Sequence, residues 1–254
     1  MSELDSRTAL AVGDILRMHG DAYRAKHPVT PEQAQVMRRL ADCRTAALGG
    51  HVDACTGCGW TRISYNSCRD RHCPKCQAGK RAAWLETRLQ RLLPVGYFHV
   101  VFTLPDILQP LILHNQRRLY QLLFQAASAT LLTLAADPQR LGAQIGVTAL
   151  LHTWGQNLRF HPHLHCVVTG GGLALDGQRW VAGKHKYFLP VKVLGKLFRG
   201  KFLAGLKAAY QSGELTFTGS VAYLTDPRAF QQLLDALYGR NWVVYAKRPF
   251  GASS

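Results

Sequence analysis

Four cysteines, arranged as Cys55-x2-Cys58 and Cys73-x2-Cys76 with fourteen residues between the pairs, constrain this chain more than any other feature. A Cys-x2-Cys step places two sulfurs on one side of a tight turn, and two such knuckles can close tetrahedrally on one ion. Gly57 and Gly59 ease the first turn, and Pro74 stiffens the second. The segment 51–76 is dense in Cys, His, Gly and Arg and shows little hydrophobic periodicity, so it cannot bury enough apolar surface to fold unaided. Most of the seven cysteines fall between positions 55 and 76, which predicts thiolates held for a metal rather than a disulfide framework. Zinc suits four thiolates, and a four-sulfur shell leaves no position for water, so the expected ion is structural. His51, Cys68 and His72 stand close enough in sequence for one of them to replace one of the four.

Around this module the chain reads as alternating helical and β-rich stretches. Helices are expected over 8–24 and 31–47, with Thr30 as N-cap, Pro31 at the first helical position and Gln33 completing a capping box. Ala82, Leu85, Leu89 and Leu92 recur at helical spacing over 77–93, and Pro94 ends that helix. A strand over 97–103 is followed by a helical region reaching 136. Two further strands, 146–154 and 161–169, flank Gly155-Gln156-Asn157-Leu158-Arg159 as a hairpin. Asp176-Gly177 marks another turn, before helices over 191–210 and 227–238 and a last strand over 241–245. The expected class is α+β: a helical and zinc-binding domain over 1–93, then an antiparallel sheet with covering helices over 94–254.

His161-Pro162-His163-Leu164-His165 leads directly into Cys166-Val167-Val168-Thr169. Alternation along a strand sends His163 and His165 to one face and Leu164 to the other, towards a core. Two imidazoles on a rigid strand can grip a divalent ion that polarises a phosphate and positions it for attack. For a third ligand the sequence offers His99 first, then His152 and Gln156.

The net charge of +16, from 31 Lys+Arg against 15 Asp+Glu, favours a polyanionic partner. Nucleic acid is the first expectation. Candidate phosphate contacts are Arg69, Arg71, Lys75, Lys80 and Arg81 in and after the cysteine module. A second set, Lys192, Lys196 and Arg199, belongs to a basic stretch over 184–207. The opening Met1-Ser2-Glu3-Leu4-Asp5 has neither the basic nor the apolar part of a secretory signal, and the apolar run 122–136 falls short of a bilayer span. A cytoplasmic protein acting at the nucleoid, with no membrane partner, is therefore expected.

Five segments together resemble the two-tyrosine rolling-circle transposases of the insertion sequence ninety-one type, within the wider HUH endonuclease group. They are 51–59, 65–76, His99-Val100-Val101-Phe102-Thr103-Leu104-Pro105, His161-Pro162-His163-Leu164-His165, and 242–251. The resemblance implies an N-terminal zinc domain and a catalytic HUH-type domain in which His163 and His165 bind Mg²⁺ or Mn²⁺. It also implies that a tyrosine cuts single-stranded transposon ends through a 5′-phosphotyrosine link. In the family a helix with two tyrosines four residues apart follows the segment that 246–251 resembles. No Tyr-x3-Tyr pair occurs in these 254 residues, and Tyr223, Tyr238 and Tyr245 read as packing residues. The expectation is a catalytic domain incomplete at its C-terminus, with an exposed apolar patch. Such a chain would bind DNA without nicking it, or pair with a full-length transposase.

Overall fold

A computed structural model describes residues 10–183, 189–247 and 250. The chain separates into two compact units, Met1–Leu92 and Leu93–Ser254.

In the first unit, α1 (Val12–Lys26) packs on α2 (Pro31–Asp42), a 3-10 turn spans Ala46–Leu48, β1 (Gly50–Ala54) pairs with β2 (Thr61–Tyr65), and α3 (Pro74–Leu89) closes the order. Thr30 caps α2 reciprocally: its hydroxyl accepts from the Gln33 amide at 3.2 Å, and the Gln33 side chain accepts from the Thr30 amide at 2.9 Å. Three elements depart from the sequence reading. Helix α2 ends at Asp42, short of the expected 47, where Cys43 turns to an extended backbone. The segment after Gly49 contains a hairpin; it shows no alternation in sequence because nearly every residue of β1 and β2 is exposed on both faces. Helix α3 begins at Pro74, inside the second cysteine pair, three residues earlier than apolar periodicity suggests, since proline is well suited to a first helical position.

The core of this unit is small. Leu40, Cys43 and Cys73 are buried, with Leu16, Val36, Cys68 and Cys76 against them, so most of the interior is sulfur.

The second unit is a five-stranded antiparallel sheet. Its elements are β3 (Tyr97–Thr103), α4 (Gln109–His114), α5 (Gln116–Ala136), β4 (Ala143–Trp154), β5 (Phe160–Ala174), β6 (Trp180–Ala182), α6 (Val191–Gln211), α7 (Pro227–Gly239) and β7 (Val244–Ala246). The strand order is β4-β5-β3-β7, with β6 pairing the far end of β5. The alternation of β3 and β5 sends Val100, Phe102, Leu164, Cys166 and Val168 into a core shared with α5 and α6. His99, Val101, Thr103, His163 and His165 therefore stand on the other face. Helix α5 is long and apolar enough to cross a bilayer by length and composition, yet half of that window is buried in this fold. It lies so close to α6 that a Cβ on Gly205 would sit 2.3 Å from a methyl of Leu122.

The helix expected from Thr8 begins outside the described residues, and Lys184 and Lys186 of the basic stretch and residues 248, 249 and 251 of the last motif lie outside them.

Candidate metal centres

Among the described residues two clusters of metal-ligating side chains form, one in each unit: Cys43, Cys68, Cys73 and Cys76, and His152, His163 and His165. Within each, one ligand atom per residue lies within 4.8 Å of all the others.

The cysteine cluster gathers three separate stretches of chain. Cys43 is the C-cap of α2, Cys68 lies in the loop after β2, Cys73 caps α3, and Cys76 sits in its first turn. The Cys43–Cys76, Cys68–Cys76 and Cys73–Cys43 sulfurs are each 3.6 Å apart. A tetrahedron with zinc–sulfur bonds of about 2.3 Å has edges of roughly 3.8 Å, so these thiols already mark out a zinc shell. Burial pushes the Cys68 thiol up to about 12. Burial also opposes ionisation of Cys76, but its sulfur neighbours Cys43, Cys68 and Cys73 and the Arg69 amide bring it down to about 7. Four crowded thiols of this kind ionise together only around a cation, which fits structural zinc.

Asp70 holds the loop that carries Cys68 and Cys73. Its buried carboxylate accepts from the His72 amide at 2.8 Å, meets His72 Nδ1 at 3.0 Å, and faces Arg39 of α2 at 3.5 Å. Its main-chain carbonyl accepts from Gln77 of α3 at 3.2 Å. The His72 amide is the main reason that the carboxyl lies below the usual range. Arg69 takes a left-handed backbone, φ 54°, to turn the chain here.

Of the four ligands expected from spacing, Cys73 and Cys76 join the cluster, and Cys55 and Cys58 do not. The latter two are exposed at the turn between β1 and β2. Cys68, a spare candidate, takes one place, while His72 turns to Asp70 and His51 lies near Asp53. Cys43 was not singled out by its spacing. Its sequence signal was the C-terminal end of a capped amphipathic helix, a position that buries a side chain beside whatever that helix packs on.

The histidine cluster follows from strand register. His152 of β4 stands directly opposite His163 of β5, and His165 is two residues further along the same face. His163 Nδ1 lies 2.6 Å from the main-chain oxygen of His161; a carbonyl can only accept, so Nδ1 carries the proton and Nε2 is left with its lone pair. His99 lies on β3 opposite Val167, and its Nε2 meets His165 Nδ1 at 2.7 Å with the rings stacked. It thus approaches His165 from the side and is not among the three residues that share one focus; His152, directly across from His163, is. Burial, then the neighbouring His152, His163 and His99, brings His165 down to about 4, so it is neutral and ready to ligate at neutral pH. Burial and Lys247 also lower His99.

The three histidines open on a cleft of about 990 Å³ whose other walls include Trp154, Gln156, Asn157, Arg159 and Asp106. The tight turn Gly155–Arg159, with Leu158 at φ 59°, presents the polar groups of the loop to it. Trp154 is more than half exposed, and its ring is parallel to that of His152.

Among the basic candidates, Arg69, Arg71, Lys75, Lys80, Arg81, Lys192 and Lys196 are solvent-exposed. Arg199 is committed elsewhere: its guanidinium donates to the carbonyls of Tyr238 and Arg240 at 2.8 and 3.0 Å and lies over the Tyr238 ring, closing the end of α7. Tyr223, Tyr238 and Tyr245 are all more than half exposed; Tyr245 pairs with Val101 and so shares the histidine face.

A family model described as a transposase zinc-binding domain matches residues 15–104, and one described as a putative transposase matches residues 146–254. A putative transposase, y4qJ, of Sinorhizobium fredii (strain NBRC 101917 / NGR234) is 52% identical over 246 residues, covering 96% of this chain and 62% of that protein. A transposase for insertion sequence element IS801 of Pseudomonas savastanoi pv. phaseolicola is 31% identical over 220 residues, covering 85% of this chain and 51% of that protein. The chain thus spans between half and about three-fifths of the length of these curated relatives. No solved structure matches it.

Proposed function

The chain belongs to the transposases of the insertion sequence ninety-one type, and from that premise we propose that its second unit holds single-stranded transposon ends at a divalent-metal site made by His152, His163 and His165. The observation that carries this reading is the convergence of three imidazoles from β4 and β5 on the open face of the sheet, beside a cleft of about 990 Å³. A bound Mg²⁺ or Mn²⁺ would supply Lewis-acid polarisation of a phosphate and a template for its oxygens. In this reading the 2.7 Å contact between His165 Nδ1 and His99 Nε2 takes its proton from His165, which would leave His165 Nε2 for the ion and make His99 a positioning residue. Trp154 offers an unpaired base a surface on which to stack, and Arg159 meets the backbone charge. Arg69, Arg71, Lys75, Lys80 and Arg81 of the zinc module, with Lys192 and Lys196 of α6, track further phosphates. The site of action is the cytoplasm, at the nucleoid.

In the full reaction a tyrosine oxygen attacks the phosphorus. The bond to the 3′ oxygen breaks, that oxygen takes up the proton the phenol releases, and a 5′-phosphotyrosine remains. We assign that nucleophile to no residue of this sequence. A second reading is favoured by one observation, that among the described residues no tyrosine lines the histidine cleft: these 254 residues by themselves hold DNA, or pair with a longer transposase, without cutting. Labelled single strands carrying candidate transposon ends, incubated with Mn²⁺, test both. Retention of single strands over duplex, with no covalent adduct, is the expected result. An adduct would overturn the second reading, and equal retention of duplex and scrambled strands would overturn the first.

A further inference from the structure

The zinc module has six cysteines, and its buried cluster uses four. Cys55 and Cys58 remain, at the exposed tip of the β1–β2 hairpin. The turn is built as a metal knuckle. The Cys55 amide donates to the Trp60 carbonyl at 2.8 Å, the Gly59 amide donates back to the Cys55 carbonyl at 2.9 Å, and Gly59 takes the left-handed φ of 73° that closes the loop. The Cys55 sulfur accepts from the amides of Cys58 and Gly57. Two sulfurs are thus held side by side, with amides directed at one of them.

A zinc ion bound here would need two more ligands. Among the described residues no third Cys, His, Asp or Glu places a ligand atom with these two sulfurs. The hairpin leaves their outer side open to solvent, and both pairing strands are exposed along most of their length. A second copy related by a two-fold axis presents the same pair, and the two pairs together complete a tetrahedral four-thiolate shell with a closed, self-complementary contact.

We propose that Cys55 and Cys58 form half of an intermolecular zinc site, completed by the same two residues of a second copy, so that zinc joins two chains at their hairpin tips. The contact is small, so the metal rather than buried area supplies its stability, and the +16 charge of each chain opposes it at low salt.

The test uses the full chain, purified in moderate salt with a phosphine reductant to exclude disulfides. Zinc content and light-scattering mass are measured for the wild type and for the Cys55→Ser/Cys58→Ser variant. The expected wild type is a dimer with about 1.5 zinc ions per chain, and the expected variant a monomer with about one. Mild chelation should convert the wild-type dimer to monomer, and added zinc should restore it with an endpoint at about half an equivalent per chain. About two zinc ions on a monomer, or a mass that the double substitution leaves unchanged, would overturn the proposal. The ion retained by the double variant reports on the buried cluster, so failure there is distinguishable from failure at the hairpin.

Discussion

The two ligand clusters resemble each other in compactness and differ in everything around them. The four cysteines are the interior of their unit: Cys43 and Cys73 are buried beside Leu40, and little other core exists there. The histidines stand on a sheet whose opposite face already packs a large apolar core of Phe98, Val100, Phe102, Leu164 and many helix residues. The sulfurs make up much of the interior of their unit, whereas the imidazoles lie outside the apolar core of theirs. A closed four-sulfur shell suits the first role and an open three-nitrogen face suits the second.

Replacing a ligand in each cluster should therefore have opposite consequences. Structural zinc in a small module contributes on the order of 10 kcal/mol or more, comparable with the whole stability of a domain. Cys73→Ser should unfold the first unit while the second stays native. Limited proteolysis should digest residues up to about Leu92 and leave a protected fragment from Leu93 onward. Protection of the whole chain in this variant would mean that the cysteines are not what holds the first unit together.

His163→Ala and His165→Ala should do the reverse. Loss of either imidazole should weaken Mn²⁺ binding by roughly 100-fold or more, with thermal stability of the metal-free protein changed by no more than about 1 kcal/mol. His99→Ala should give a smaller loss of roughly 10- to 100-fold, through misorientation of His165. His99→Gln should recover part of it, because an amide oxygen can still accept the His165 Nδ1 proton. Equal losses for the alanine and glutamine variants would reduce His99 to a packing residue.

The same contrast explains what the sequence disclosed. The second unit was legible because a strand with one buried face writes its register into every other residue: Val100, Phe102, Leu164 and Cys166 turn inward, which forces His99, His163 and His165 outward. The identity of the third histidine was not legible, since it depends on His152 falling opposite His163 across the hairpin, with an irregularity in pairing immediately beyond. The cysteine module was legible as a metal site, but which cysteines come together was not. Spacing treats Cys55-x2-Cys58 and Cys73-x2-Cys76 as equivalent halves, whereas Cys43 and Cys68 arrive through the end of α2 and the Asp70-braced loop. A hairpin with two exposed faces has no hydrophobic alternation to reveal it.

Acid sharpens the comparison from another side. The folded His165 titrates near 4, below the ordinary value of 6.5, because burial and neighbouring imidazoles disfavour its charge. The unfolded chain thus binds the extra proton between those values. The stability tied to this group is fully present above about 6.5 and is lost as pH falls from there through about 4. Thermal melts of metal-free protein should show the second unit weakening across that window, and His165→Gln should flatten the dependence.

The smallest expected effects separate arginines and lysines that composition treats alike. Lys80 and Arg81 on α3 are exposed, whereas Arg199 donates to two carbonyls at the end of α7 and stacks on Tyr238. If Lys80 and Arg81 each meet a phosphate, replacing either by Gln should lower the salt dependence of single-strand binding by about 0.7 in the slope of log K against log[salt], with stability unchanged. Arg199→Gln should leave that slope alone and cost about 1 kcal/mol of stability, because the two carbonyls lose a charged donor. A changed slope for Arg199→Gln would mean that its guanidinium leaves α7 to meet DNA, and the separation between structural and binding cations on α6 would fail.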